Sequence, residues 1–147
     1  MAILKGGEKL RAYLEGLADR VGRGGVVQVG FLENATYPDG TSVAMVAAVN
    51  DFGHGDTPSR PFFRNMIALN SDSWGPVVGK MLKQTNYDVS ATLSFAGDMV
   101  KGELQESILD LWAPPLAAST VKKKGFDKPL IDKSHMINSA DYKVFIR

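Results

Sequence analysis

Val26-Val27-Gln28-Val29-Gly30-Phe31-Leu32 is the stretch on which the fold class turns. Val27, Val29 and Phe31 fall on one side of an extended chain and Val26, Gln28 and Gly30 on the other, the two-residue period of a strand. What precedes it has a different period. Ile3, Leu4, Leu10, Tyr13, Leu14, Leu17 and Val21 recur mostly at three- and four-residue spacings, and Lys5, Glu8, Lys9, Arg11, Glu15 and Asp19 fill the other face. An amphipathic helix from Ile3 to Val21 is therefore predicted. Gly22, Gly24 and Gly25 end it, because glycine takes the left-handed conformation after a helix C-terminus at little steric cost.

Downstream, Glu33 to Thr41 contains Pro38, Asp39 and Gly40 and reads as a flexible loop. A helix is expected from Ser42 to Asp51; its run from Val43 to Val49 is small and apolar throughout, which predicts burial on more than one side, and Gly53 closes it. His54 to Arg60 is a polar loop, and Pro61 is placed to begin the next helix, where its missing N–H is not needed. Phe62, Phe63, Met66, Ile67 and Leu69 would supply that helix's packing surface. A break is expected near Asn70 to Ser73, after which Trp74, Val77, Val78, Met81 and Leu82 carry a helical pattern to about Gln84.

Ser90 is the expected N-cap of a long helix reaching Leu111, weakened by Gly97 and Gly102 at roughly 1 kcal/mol each relative to alanine. Pro114 and Pro115 stop it. Ala117 to Lys124 reads as a short basic helix, Gly125 to Lys128 as a loop, and Asp132 to Ser139 as a helix with Met136 and Ile137 inward. Tyr142, Val144 and Ile146 then alternate with Lys143, Phe145 and Arg147 as a strand expected to pair with the Val26 strand. The expected class is α+β, a small antiparallel sheet packed against several helices in a single domain over residues 1–147, since two strands are too few to stand alone.

Composition narrows the function. Hydrophobic residues at 44% and charged residues at 22% belong to a folding chain. A net charge of +1 creates no long-range attraction for nucleic acid or anionic lipid. Without cysteine there is no disulfide framework and no thiolate metal site. Met1 to Lys5 lacks the apolar core of a signal peptide, and no apolar run approaches the ~18 residues of a membrane span, so a soluble chain made in the cytoplasm, with no membrane partner, is expected.

Catalytic motifs fail one by one. Asp51-Phe52-Gly53 has the letters of a kinase magnesium motif without the phosphate loop or catalytic loop, and a glycine-capped helix end explains it. Gly22 to Gly25 lies after a helix and before a strand, the reverse of the dinucleotide order. His54 and His135, with Asp56 and Asp132 nearby, lack further ligands and read as a loop and a helix-surface histidine. Glu103 and Glu106 read as a solvated helix face beside Lys101. No catalytic, cofactor-binding or metal residue is assigned. Lys122, Lys123 and Lys124 are the one charge run, open to two readings: sequence-independent phosphate contact, or an exposed loop or subunit interface.

The order of segments carries a resemblance. Val46-Ala47-Ala48-Val49-Asn50-Asp51-Phe52-Gly53 is followed by Pro58-Ser59-Arg60-Pro61-Phe62-Phe63-Arg64. Later come Gly102 and Ile108, Pro115-Leu116, Ser119-Thr120, Lys122 to Lys124, Lys128-Pro129-Leu130-Ile131-Asp132 and Ser139-Ala140-Asp141-Tyr142-Lys143-Val144. From Val43 to Val144 the chain resembles the phage tail-completion and virion-morphogenesis proteins, the Mu G-like and related head-tail joining group. It departs from their pattern at Lys133-Ser134, where a threonine-glycine pair is expected.

The resemblance implies a small α+β fold and a non-enzymatic role in a virion, completing the tail or joining it to the head as a ring, commonly sixfold, beside other connector and tail proteins. Such a ring needs heterologous interfaces that close by rotation. The residues offered for them are Arg60, Phe62, Phe63 and Arg64, Tyr37 in the Glu33 to Thr41 loop, and Lys122, Lys123 and Lys124. Core packing is the alternative for the two phenylalanines, and an intrasubunit carboxylate for either arginine. A tail terminator, a module touching DNA in the channel through Lys122 to Lys124, and an enzyme of unrecognised type are the competing functions.

Overall fold

The computed structural model describes residues 6–110 and 128–147. In chain order these form α1 (Gly7–Gly22), β1 (Gly25–Phe31), α2 (Val43–Phe52), α3 (Phe62–Gln84), α4 (Val89–Leu109), α5 (Lys128–Ser139) and β2 (Ala140–Ile146). The expected helix residues Ile3, Leu4 and Leu111, the stop at Pro114 and Pro115, and the Ala117 to Lys124 segment lie outside the described residues.

β1 and β2 pair antiparallel, from Gly25 opposite Ile146 to Phe31 opposite Ala140. The predicted alternation sets which face is covered. Val27, Val29 and Phe31, opposite Val144, Tyr142 and Ala140, are half-buried or buried, whereas Val26, Gln28, Lys143 and Phe145 face solvent. α4 covers the inner face, with the Tyr142 ring seated on Gly97 so closely that an added β-carbon would lie 2.6 Å from Tyr142 Cγ. The Tyr142 hydroxyl reaches Asp98 Oδ2 at 3.4 Å. Partial burial of the ring, then the Asp98 charge, raises that hydroxyl above its usual 10.0. Among the described residues no third strand joins the sheet. This is the small α+β fold the sequence predicts.

The main core lies where α2, α3, α4 and α5 meet the Phe31–Ala140 end of the sheet. Val43, Ala47, Phe62, Met66, Leu104, Ile108, Met136 and Ala140 are buried there, with Phe31, Trp74 and Ile137 packed around them. Burying each of the larger side chains favours folding by about 1.5–3 kcal/mol. Phe31 and Phe62 meet edge to face at 6.5 Å. Trp74 Nε1 donates to Glu103 Oε2 at 2.8 Å and Ser107 Oγ to the Phe62 carbonyl at 2.6 Å, tying α3 to α4. Glu103 is thus a tertiary acceptor, not part of a solvated pair with Glu106.

Several boundaries differ from expectation for local reasons. α3 runs unbroken through Asn70 to Ser73 because those polar side chains bond back onto the helix: Asn70 Nδ2 donates to the Met66 carbonyl and Ser73 Oγ to that of Asn70. Pro61 occupies the N-cap position, just outside α3. Of the residues expected to pack α3, Phe62 and Met66 are buried while Ile67 and Leu69 are exposed. Asp88, not Ser90, caps α4, its carboxylate accepting from Ala91 N at 3.0 Å.

Between α3 and α4 the chain turns through Asn86 and Tyr87, both at positive φ. Asn86 N donates to the Lys83 carbonyl and Tyr87 N to that of Leu82, a Schellman closure made without glycine. α5 begins at Lys128, earlier than expected, with Pro129 in its first turn. The Glu33 to Thr41 loop is closed by Tyr37 N to the Thr41 carbonyl at 2.8 Å and Gly40 N to that of Tyr37 at 2.9 Å. The second face of α2 is not covered: Met45, Val49 and Phe52 are exposed.

Candidate assembly surface

The motif Pro58 to Arg64 folds back on the end of α2. Ser42 starts α2, its side chain accepting from Met45 N, and Gly53 ends it at φ 77, where an added β-carbon would lie 2.9 Å from Ser59 N. The chain then reverses through a tight turn in which His54 and Thr57 exchange backbone hydrogen bonds at 3.1 and 2.9 Å. Arg60 N returns to the Asn50 carbonyl at 2.6 Å, so the 58–61 segment runs beside the last turn of α2.

Asp51 is the centre of this junction. Its side chain is 5% exposed. Pro61 gives α3 no side-chain cap. The Asp51 carboxylate supplies one from outside: Oδ1 accepts from Phe63 N at 2.9 Å and Arg64 N at 3.3 Å. An anion at that end also complements the helix dipole. Arg64 Nε donates to Oδ2 at 2.7 Å, and its Nη2 donates to the Asp51 carbonyl at 2.6 Å and to Ser59 Oγ at 3.2 Å. Ser59 Oγ donates to the same carbonyl at 2.7 Å. The guanidinium lies 4.7 Å over the Phe52 ring, outside the core. Chemically this is a saturated carboxylate–guanidinium staple that holds two helices at a fixed angle.

The four residues singled out around Pro61 therefore divide. Phe62 is 1% exposed and belongs to the core. Phe63 is half-buried and meets Phe62 edge to face at 6.3 Å. Arg64 is taken up by Asp51 within the chain. Arg60 is different: its buried Nε has no hydrogen-bond partner, and no ion pair involves it among the described residues. Tyr37 is half-buried, with its ring 4.8 Å from that of His135, whose Nε2 lies 2.8 Å from the Thr36 carbonyl. His135 thus pins the loop to α5 and is no plain surface histidine. Lys122, Lys123 and Lys124 lie outside the described residues.

Arg60→Ala is expected to leave the thermal midpoint nearly unchanged, since among the described residues no hydrogen bond or ion pair engages its guanidinium. Arg64→Ala should cost about 1–2 kcal/mol, less than a fully buried pair would because the arginine is half exposed. Calorimetry of the two variants side by side checks the contrast.

Sequence reading passed over Asp51 as a helix end. The available signal was its spacing: a carboxylate in the last turn of one helix, with a proline-started helix and an arginine thirteen positions on. Among the described residues no cluster of histidine, aspartate and glutamate could hold a metal ion, and no helix is long and apolar enough to cross a membrane. Comparison with family models, with curated proteins and with solved structures gives no match to this chain.

Proposed function

We propose that this chain is a structural ring subunit of a tailed phage, working at the head-tail junction to complete the tail or join it to the head, and that it transforms no substrate. The observation that carries the reading is apolar surface left uncovered. Leu10, Tyr13 and Leu14 on α1, Met45 and Phe52 on α2, Leu69 on α3, and Phe95 and Leu109 on α4 are each more than half exposed. A monomer rarely leaves so much apolar surface bare, whereas a ring subunit covers it with neighbours. The resemblance adds the setting, and two of the motifs behind it, Val46 to Gly53 and Pro58 to Arg64, are the ones the Asp51 staple holds together.

Electron cryomicroscopy of the particle tests this. The expected result is a ring of this chain, sixfold and coaxial with the tail, between the head connector and the tail tube. Virions that lack the chain yet carry normal, infectious tails would overturn the proposal, as would turnover of a small molecule by the pure protein.

A further inference from the structure

α1 is an amphipathic helix whose apolar stripe is left unburied among the described residues. No residue of this 16-residue helix is buried. At about 100° per residue, Leu10, Tyr13, Leu14 and Val21 share one face, Lys9 and Arg20 flank it on one side and Arg11 on the other, and Glu8, Glu15 and Asp19 lie opposite. The stripe is therefore apolar with a basic rim. Arg11 reaches Glu15 at 3.7 Å, with both side chains largely exposed, a pairing worth little.

α4 carries the converse surface. Its exposed positions Phe95, Asp98, Gly102, Glu106 and Leu109 recur at helical spacing, and Asp110 follows at the cap. Phe95 and Leu109 are apolar ends more than half exposed, the exposed charges on this stripe, Asp98, Glu106 and Asp110, are acidic, and the one basic residue between the ends, half-buried Lys101, lies 3.8 Å from Asp141. Gly102 has nothing within 4 Å of where a β-carbon would stand, which leaves room at mid-stripe for a second helix.

We infer that α1 of one copy docks on the acidic stripe of α4 in the next copy. Charge selects this pairing over its rivals: two α1 stripes would bring basic rims together and two α4 stripes acidic ones, so only the unlike contact is favourable. The lengths agree, since Leu10 to Val21 spans about 16 Å of helix axis and Phe95 to Leu109 about 21 Å. Each stripe offers apolar area on the order of a few hundred Å², below the ~800 Å² per partner of a standard stable complex. One such contact makes a weak dimer; a closed ring, in which every copy gives one stripe and receives the other, uses the contact twice per subunit. This deepens the ring reading and rests on it for the choice of a second copy as occupant.

The chain has no cysteine, so disulfide trapping is clean. Leu14→Cys and Gly102→Cys are made separately in the full chain, both at exposed or open positions, with circular dichroism confirming the fold, and then mixed under mild oxidation. The expected product is a mixed disulfide dimer. Changing Asp98, Glu106 and Asp110 to lysine in the Gly102→Cys chain should slow its formation at least tenfold, and changing Lys9, Arg11 and Arg20 to glutamate in the Leu14→Cys chain should restore it.

A Leu14→Cys homodimer forming as fast as the mixed product overturns the inference, as does closure within one chain carrying both cysteines. Binding of the unaltered protein to anionic phosphatidylserine vesicles with no mixed disulfide also overturns it. A chain found in the neck ring that gives no mixed disulfide sinks this contact and leaves the ring reading; a mixed disulfide from a chain absent from the neck does the reverse.

Discussion

Asp51→Ala is expected to lower stability by about 2–4 kcal/mol, a fall of roughly 5–15 °C in the thermal midpoint for a chain of this size. The loss has three parts that one carboxylate now supplies together. Phe63 N and Arg64 N lose their acceptor at the start of α3, and as these amides are only partly buried each costs less than the about 1–3 kcal/mol of a fully buried donor. The Arg64 guanidinium loses its 2.7 Å partner. Because that guanidinium is half exposed and keeps the Asp51 carbonyl, water offsets part of its share, which is why the figure stays below the full value for a buried pair. Asp51→Asn should fall between, about 1–2 kcal/mol, since an amide oxygen still accepts from the helix but carries no charge. Urea denaturation of the three proteins measures it. An alanine variant as stable as the parent would show that α3 is capped by other means.

Gly97→Ala should be destabilising, against the usual rule for a glycine inside a helix. Alanine raises helix propensity by about 1 kcal/mol. Here its β-carbon would fall 2.6 Å from Tyr142 Cγ, and displacing an aromatic ring wedged between α4 and the sheet costs about 2–3 kcal/mol, so the net effect is a loss of about 1–2 kcal/mol. The same substitution in a Tyr142→Ala background should reverse sign and stabilise by about 0.5–1 kcal/mol, because the obstacle is gone. Gly102→Ala, with nothing within 4 Å, should stabilise in either background when measured in dilute protein. Equal effects at positions 97 and 102 would refute the assignment of Gly97 as a seat for Tyr142.

These two residues show where sequence reading stopped. Period and turn chemistry are local properties, and they were enough for the helix–strand order, for the antiparallel pairing of the Val26 strand with the Tyr142 strand though not its register, and for the inward side of Met136. Gly97 read as a weakness in α4 because its reason, a ring 45 positions away, is not local. Asn70 and Ser73 read as a break because polar residues more often end helices, whereas both side chains bond back to α3. Ser90 read as a cap although Asp88, two positions earlier, is the one in extended conformation with its carboxylate on Ala91 N.

The candidate surface was legible in outline and not in its parts. The Pro58 to Arg64 cluster stood out through the resemblance, but Arg60 and Arg64 look alike in sequence and differ only in whether Asp51 reaches them. The all-apolar α2 implied two covered faces; this chain covers one, with Val43, Ala47 and the Asp51 staple, and leaves Met45, Val49 and Phe52 bare. A helix's own pattern reports that a face avoids water and is silent on which chain will shield it.

Pairing residue 25 with residue 146 also bears on how the protein is made. Roughly a hundred residues separate the two strands, so at ~5–20 residues per second a ribosome extrudes the valine-rich first strand several seconds before its mate exists. During that interval the segment is a candidate client for chaperones that hold extended apolar chain, and registry between distant strands is the step expected to set the folding time.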